Sequence, residues 1–224
     1  MHGIAALLLI SWLFGPTRML WDALDGVCFN ALNSFVHSSP FWQKFWALAG
    51  YKRSEYVMDL VRLVFFALIL YNSPAAMRRH NVIKILFMIL FIFATITLVG
   101  KTLFPKVLQI ERFSPTASDP TAFRLSSVID WIYVKDHSLS SYPSDHGITA
   151  WLFTCSMFFL FGKRYGFAAL ITEGCYCLPR LVAGAHWMTD VIIGSGTVAL
   201  ILCAWVYCTP TFNFILRKRY AQAL

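Results

Sequence analysis

Two short polar stretches contain the side chains that could do chemistry, and both adjoin strongly apolar segments. The first, SYPSDHG, covers residues 141–147, and the second, PRLVAGAHWMTD, covers residues 179–190. Ionisable side chains are costly next to hydrocarbon, so their presence at the ends of apolar segments indicates a function. The two histidines of these stretches, His146 and His186, are the candidate reacting groups.

The second stretch has the residue types of an activated nucleophile. His186 and Asp190 are four residues apart, so on a helix they would share a face. A carboxylate there can accept one imidazole N–H and leave the other ring nitrogen unprotonated. Arg180, six residues upstream of His186, offers a planar fork of donors that fits phosphate. This pattern predicts phosphoryl transfer, with His186 attacking phosphorus and His146 protonating the leaving oxygen as general acid.

The first stretch has the residue types of a helix N-terminus that binds an anion. Ser144 or Asp145 could cap a helix that begins here, which would place His146 in its first turn. The free backbone N–H groups and the helix dipole favour a bound anion at such a point, and Gly147 would allow close backbone approach. We therefore expect Ser144, Asp145 and Gly147 to contribute to a phosphate site.

The composition indicates a membrane protein that positions these groups with helices. The 224-residue chain is 58% hydrophobic and only 13% charged, which is more apolar than a soluble domain of this length. Apolar runs long enough for membrane helices lie near residues 54–71, 83–100, 148–161, 167–179 and 188–208, with a weaker one over 3–14. We interpret the weak run as a short first helix rather than a removed signal peptide. The prediction is an all-α polytopic bundle of six transmembrane helices that forms one domain over residues 1–224.

The distribution of positive charge predicts the orientation of the bundle. Residues 72–84, residues 162–166 and the tail at 217–219 carry Lys and Arg without any Asp or Glu, and a six-span topology places all three on one side. The positive-inside rule assigns that side to the cytoplasm. Residues 17–53, 101–145 and 180–186 then face outward.

The outward segments also hold cations that the positive-inside rule alone would not put there. They suggest an anionic ligand, although contact with anionic lipid headgroups is the alternative. Besides Arg180, the candidates are Lys101 and Arg112 for phosphate binding, and Lys106, Arg124, Lys135 and Arg53 for other contacts with substrate. No cofactor is expected, and the six cysteines have no spacing that suits a metal site.

Two charges fall inside the predicted spans. Glu173 and Arg62 each lie roughly 10–12 Å below the outer end of their span at about 1.5 Å per residue, where an unpaired charge is expensive. We expect them to pair, with Asp59 as a rival partner for Arg62; the alternative is a neutral Glu173 without a role.

The polar stretches resemble motifs of the type-2 phosphatidic acid phosphatase superfamily, which shares its fold with vanadium haloperoxidases. The family pattern is Lys-x6-Arg-Pro, then Pro-Ser-Gly-His, then Ser-Arg-x5-His-x3-Asp. Residues 143–146 read Pro-Ser-Asp-His, and residues 179–190 read Pro-Arg-x5-His-x3-Asp. The resemblance implies that Arg180 binds phosphate, His186 is the nucleophile, Asp190 orients it and His146 is the acid.

The first family motif is the least well matched. Arg112 is followed by a proline only at Pro115, and Lys106 precedes Arg112 by six positions rather than seven. Lys101 precedes Arg112 by eleven positions, but it follows the third apolar run, where the family places its lysine. We favour Lys101 over Lys106 for this motif, and a snorkelling anchor is the alternative use of either.

The departures from the family pattern resemble the lipid A 1-diphosphate synthase branch. Asp145 replaces the motif glycine, Pro179 replaces the serine, and the segments RFSPT and PRLVAGAHWMTDVIIGS are similar to that branch. The resemblance implies transfer of a phosphoryl group from undecaprenyl diphosphate to the 1-phosphate of lipid A through a phosphohistidine, without metal. The partners would be these two lipids and the surrounding membrane lipids, with no nucleic acid. The site would face the periplasm from the bacterial inner membrane.

Two other functions stay open at this point. A phosphatase acting on undecaprenyl diphosphate or another lipid phosphate would use the same residues, with water as the acceptor. A transporter or structural membrane protein would need none of this chemistry.

Overall fold

In this computed structural model, residues 1–210 are described, and they contain helices but no strand. The predicted basic tail at 217–219 lies outside the described residues. The helices are α1 (His2–Leu13), α2 (Gly15–His37), α3 (Pro40–Ala49), α4 (Ser54–Tyr71), α5 (Ala75–Val107), α6 (Pro115–Ser118), α7 (Asp145–Phe161), α8 (Lys163–Val182) and α9 (Asp190–Tyr207). Helix α5 becomes π-helical over Ile96–Val107, and α9 begins with a π-helical turn over Asp190–Ser195.

Helix α7 forms the centre of the bundle because it is apolar on all sides. One face packs Phe153 and Met157 against Phe65 of α4 and Met88 of α5. Another cluster joins α7 to α9 and consists of Ile148, Leu152, Ala199 and Cys203. The N-terminal end of α7, which carries His146, is therefore fixed by the core beneath it.

Fewer helices qualify as membrane spans than the sequence predicted. By length and composition, Ala75–Val107 and Asp190–Tyr207 can each cross a bilayer, and α1 with α2 would add a third crossing if this pair, bent by 87°, is one span. The other predicted spans are short or charged: α7 has 17 residues, and α4 and α8 each carry several ionisable side chains. The six-span prediction is thus not confirmed, whereas the all-helical class is.

The segments predicted to share a side of the membrane do meet in the fold. At one end of the bundle, Arg112 of the long loop contacts Asp25 of α2 and Thr189 just before α9. At the other end, the Asn72 amide donates to the Tyr165 hydroxyl at 3.3 Å. The bundle therefore has a loop-rich end, which holds both polar stretches, and an opposite end with short loops.

The predicted pair inside the bundle is confirmed. Arg62 of α4 donates to both carboxylate oxygens of Glu173 on α8, at 2.8 and 2.7 Å. Its third contact is Asp59, at 3.0 Å. A bidentate geometry offsets much of the desolvation cost of two buried charges, so this pair ties α4 to α8 directly below the loop-rich end.

Candidate active site

A cavity of about 370 Å³ opens at the loop-rich end, and both histidines line it. Its wall combines the end of α5, the loop that precedes α7, the first turn of α7 and the segment between α8 and α9. The lining residues are Gly100, Lys101, Pro105, Lys106, Lys135, Ser140, Tyr142, Pro143, Asp145, His146 and His186. The structure thus brings His146 and His186 to one space that also contains three lysines.

The start of α7 is capped as the sequence predicted, but its glycine has a different use. Of the two candidates, Ser144 is the cap, and its buried hydroxyl accepts the Gly147 N–H at 3.3 Å. A Cβ at Gly147 would lie 2.5 Å from Ser195 Oγ and 3.2 Å from the Cα of Val191. Gly147 therefore allows α7 to approach α9, rather than allowing a ligand to approach the backbone.

The segment between α8 and α9 holds His186 outside any helix. Gly184 has a φ of 75°, which favours glycine, and a Cβ there would lie 2.5 Å from Thr116 Cγ2. This turn ends α8 and delivers His186, buried, to the cavity wall. His186 precedes the first residue of α9, so the predicted helical face shared with Asp190 does not form.

The partner that fixes the His186 ring is a backbone carbonyl. His186 Nδ1 lies 2.8 Å from the Ser141 carbonyl oxygen and 3.9 Å from Asp190 Oδ2. Because a carbonyl oxygen can only accept, Nδ1 carries the proton of the neutral ring and Nε2 keeps its lone pair. The orienting bond predicted for Asp190 is therefore made by Ser141, which no side-chain pattern could have indicated.

The surroundings of His186 also keep its ring neutral. Complete burial, together with the nearby positive charges of Lys135 and Arg180, lowers the pKa of His186 to about 3. Both effects disfavour the imidazolium form. At neutral pH the ring therefore offers a free lone pair, which is the state that a nucleophile requires.

Asp190 instead completes a buried polar cluster with Arg112. One carboxylate oxygen accepts the Trp187 N–H at 2.8 Å, as an acidic residue does in a helix capping box, and the other accepts from Arg112 Nη1. Arg112 also donates to Asp25 Oδ2 and to Thr189 Oγ1, each at 2.8 Å. We call these four residues, Asp25, Arg112, Thr189 and Asp190, the Asp25 cluster.

The Asp25 cluster changes the interpretation of Arg112. Its guanidinium was predicted to bind phosphate, but the structure pairs it with two carboxylates and it does not line the cavity. The reason is that Asp25, whose side chain is only 1% exposed, projects inward from α2. The one signal in the sequence was the pair Asp22 and Asp25, which lies among the apolar residues of α2.

A second residue that the sequence did not single out, Glu55, lies between His146 and Arg180. Its Oε1 is 2.8 Å from Arg180 Nη2 and 3.2 Å from His146 Nε2. The Arg180 and His146 nitrogens are themselves 3.0 Å apart. Since the carboxylate only accepts and Arg180 only donates, both bonds to Glu55 form when His146 Nε2 carries a proton. That is the proton a general acid would give.

Arg180 itself does not reach the cavity wall. Its side chain is 7% exposed, and its Nη2 lies against Glu55 and His146. Burial is the larger cause of the lowered pKa of Lys135 on the cavity wall, and the positive charge of Arg180 lowers that pKa further. Arg180 is therefore close to the cavity. The predicted phosphate arginine is thus beside the site, with its fork occupied by a carboxylate.

The remaining predicted cations divide into two groups. Lys101, Lys106 and Lys135 line the cavity, so both candidates for the first motif are present. Arg124 pairs instead with buried Asp136 at 3.1 Å. Arg53 is exposed on the surface, over the ring of Tyr51. Neither of these two arginines lines the cavity.

An apolar cavity of about 460 Å³ lies on the far side of Tyr176, whose ring is 5.2 Å from the ring of His146. Its lining comes from α4, α5, α7 and α8 and consists of Asp59, Arg62, Leu63, Phe66, Met88, Ile89, Ile92, Phe93, Ile96, Thr149, Phe153 and Tyr176. Tyr176 therefore lines the apolar cavity and contacts His146, which lines the cationic one.

Comparison with known proteins agrees with this arrangement. Residues 110–214 match the PAP2 superfamily, and the match includes both histidines and Arg180. Together with a relative that is 31% identical over 91% of the chain, this match shows that the chain belongs to the PAP2 superfamily. It is a membrane protein that processes a lipid phosphate.

The similarity extends beyond the family motifs to a particular branch. Lipid A 1-diphosphate synthase of Escherichia coli (strain K12) is 31% identical over 207 residues, which is 91% of this chain and 83% of that protein. The resemblance predicted from residues 141–147 and 179–190 is thereby confirmed. No solved structure matches the chain significantly.

Proposed function

We propose that this protein transfers a phosphoryl group from undecaprenyl diphosphate to the 1-phosphate of lipid A. The products would be undecaprenyl phosphate and lipid A 1-diphosphate. The observation that carries the proposal is the neutral His186 ring, whose Nδ1 is held by the Ser141 carbonyl at 2.8 Å, on the wall of a cavity with His146 and three lysines. The choice of lipid A as acceptor is supported by the Escherichia coli relative, whose name describes the synthesis of lipid A 1-diphosphate.

The first half of the reaction uses both histidines. The Nε2 lone pair of His186 attacks the terminal phosphorus, the bond from phosphorus to the bridging oxygen breaks, and a phosphohistidine forms. His146 gives its Nε2 proton to the departing oxygen of undecaprenyl phosphate. The three wall lysines and the N-terminus of α7 stabilise the charge on the equatorial oxygens.

The second half returns the enzyme to its starting state. An oxygen of the lipid A 1-phosphate attacks the phosphohistidine, and the phosphorus–nitrogen bond breaks. His146, now unprotonated, takes up any proton that the attacking oxygen carries. The Nδ1 proton stays on the His186 ring and is donated to the Ser141 carbonyl throughout, so His186 returns to the same tautomer after the transfer.

The proposed setting is the periplasmic face of the bacterial inner membrane. The basic segments at 72–84 and 162–166 lie at the end of the bundle away from the cavity, and the positive-inside rule places that end in the cytoplasm. The apolar cavity beside Tyr176 supports a substrate that carries a hydrocarbon chain. Labelling of single cysteines at Arg79 and Lys135 by a membrane-impermeant reagent tests this orientation, since only the second should react from the periplasm.

The acceptor assay tests the reaction. Purified protein receives undecaprenyl diphosphate labelled on the terminal phosphate, with and without lipid A. We expect label on lipid A and little free phosphate when lipid A is absent. Release of free phosphate at full rate without lipid A would establish the phosphatase instead. No turnover of the labelled lipid in either mixture would refute both activities.

A further inference from the structure

We propose that Glu55 is an internal occupant of the phosphate subsite, which the substrate's phosphate displaces when it binds. The inference rests on the proposed function and adds to it a residue outside the matched family region, residues 110–214. In this account the carboxylate of Glu55 satisfies Arg180 and His146 before the substrate binds. The incoming phosphate then takes over both partners.

The position of one oxygen atom carries the argument. Glu55 Oε1 is within hydrogen-bond distance of both Arg180 Nη2, at 2.8 Å, and His146 Nε2, at 3.2 Å. A phosphate oxygen bound by the arginine and about to receive the acid's proton would need these same two donors. Carboxylate and phosphate oxygens accept the same charge-assisted bonds from guanidinium groups, so the two ligands compete for one place.

The exposure of the three side chains agrees with an exchangeable occupant. The Glu55 side chain is 35% exposed, whereas Arg180 is 7% and His146 15% exposed. The acceptor can therefore swing toward solvent while the two donors stay in place. Glu55 also lies in the first turn of α4, beside the loop at residues 50–53.

Arg62, a second arginine on the inside of the bundle, shows what a permanent pair looks like here. Arg62 and Glu173 share two hydrogen bonds, and the side chain of Glu173 is only 2% exposed. Glu55 instead contacts Arg180 through one oxygen. A single bond to a partly exposed carboxylate is far easier to replace than a bidentate buried one.

Removing the carboxylate should therefore improve anion binding. Glu55→Gln keeps the shape of the side chain but removes the negative charge that competes with phosphate. We expect the inhibition constant of orthovanadate to fall about five- to tenfold, which corresponds to roughly 1 kcal/mol. The KM for undecaprenyl diphosphate should fall with it, and kcat should change less.

The matched control is Asp59→Asn. It removes one negative charge from the same helix, one turn further on, where Asp59 contacts Arg62 and is 63% exposed. We expect vanadate inhibition of this variant to equal that of the wild type. Glu55→Asp is a second test variant, because it keeps the charge but withdraws the oxygen by one methylene, and it should also bind vanadate more tightly.

The outcomes separate this inference from the proposed function. Wild-type protein that transfers phosphate and binds vanadate, with no gain in Glu55→Gln and Glu55→Asp, overturns the displacement by itself. A loss of kcat in Glu55→Gln at unchanged vanadate affinity would make Glu55 a positioning residue for His146 instead, and also overturns it. Wild-type protein that neither turns over lipid nor binds vanadate rejects the proposed function, and the inference with it.

Discussion

The two histidines of the cavity have opposite surroundings. Around His186 the partners are buried: a backbone carbonyl holds the ring, and the carboxylates of the Asp25 cluster are no more than 1% exposed. His146 contacts buried Arg180 and also Glu55, whose side chain is 35% exposed. In the proposed reaction His186 must present the same lone pair every time, whereas His146 must exchange a proton with different oxygens. We call the surroundings of His186 the rigid half of the site, and the surroundings of His146, together with the exposed lysines of the cavity, the adjustable half. The two halves match these two needs.

Removing the ring on the rigid side should have the largest effect. His186→Ala deletes the proposed nucleophile, so we expect phosphoryl transfer to fall on the order of 10³-fold or more. The labelled-lipid assay measures this directly. His137→Ala is the matched control, because His137 is an exposed histidine of the preceding loop that does not line the cavity. Transfer by His186→Ala within tenfold of the control would remove His186 from the mechanism.

Breaking the Asp25 cluster tests whether the rigid half is held from α2. Asp25→Asn removes one of the two buried carboxylates that pair with Arg112. Loss of one partner from a buried ionic cluster lowers the free energy of unfolding by about 3–5 kcal/mol. The midpoint of thermal unfolding in detergent should fall accordingly. Activity should fall too, because Asp190 caps the turn that carries His186.

A neighbouring carboxylate on α2 serves as the control for that substitution. Asp22 lies 3.7 Å from Arg112 and pairs with Arg18, but its side chain is 50% exposed. Asp22→Asn should therefore lower the free energy of unfolding by only about 0–1 kcal/mol, which is the usual contribution of an exposed ion pair. Equal destabilisation by the two substitutions would mean that α2 stabilises the fold through its overall negative charge and not through the specific contact of Asp25 with Arg112.

The contrast also explains what the sequence could predict. His146, His186 and Arg180 are recognisable because each lies beside apolar residues in a spacing that chemistry constrains. Asp25 and Glu55 escaped detection because their partners, Arg112 and Arg180, are 87 and 125 positions away in the chain. Such contacts depend on how the helices pack, and one sequence does not determine that packing. The sequence therefore indicated which groups meet at the candidate site more reliably than which groups hold them in place.

The membrane topology was predicted less well for a related reason. Hydrophobicity along the chain located α4, α7, α8 and α9 close to their observed bounds, but only the middle of α5, which extends over Ala75–Val107. It could not distinguish a helix that is apolar because it faces lipid from α7, which is apolar because it is buried by its neighbours. The bend of 87° between α1 and α2 falls beside Gly15 and Pro16, where proline cannot continue a helix.

Acidification should destabilise the fold through His186. The pKa of His186 is about 3 in the fold, against about 6.5 in an unfolded chain. The unfolded state therefore binds a proton that the folded state does not, so stability is retained above pH 6.5 and falls as the pH drops toward 3. At pH 5 the loss from this group is about 2 kcal/mol.

Unfolding midpoints at pH 7.5 and pH 5 measure this effect. Wild-type protein should lose more stability between the two values than His186→Asn, which has no imidazole to protonate at this position. Identical losses in the two proteins would show that the neutral ring of His186 is not a feature of the fold.

The smallest effects should come from the lysines of the adjustable half. Lys101 and Lys106 are exposed and line the cavity together, so each replacement by Ala should weaken vanadate binding only about two- to fivefold, as expected for exposed charges. The control is Lys44→Ala, since Lys44 is an exposed lysine of α3 away from the cavity wall.

The loss of vanadate binding should be larger in Lys101→Ala than in Lys106→Ala if Lys101 fills the first family motif. Both losses should shrink at high salt because exposed charges are screened. A greater loss in Lys106→Ala would assign the motif to Lys106, and no loss in either would make both lysines anchors for the membrane surface.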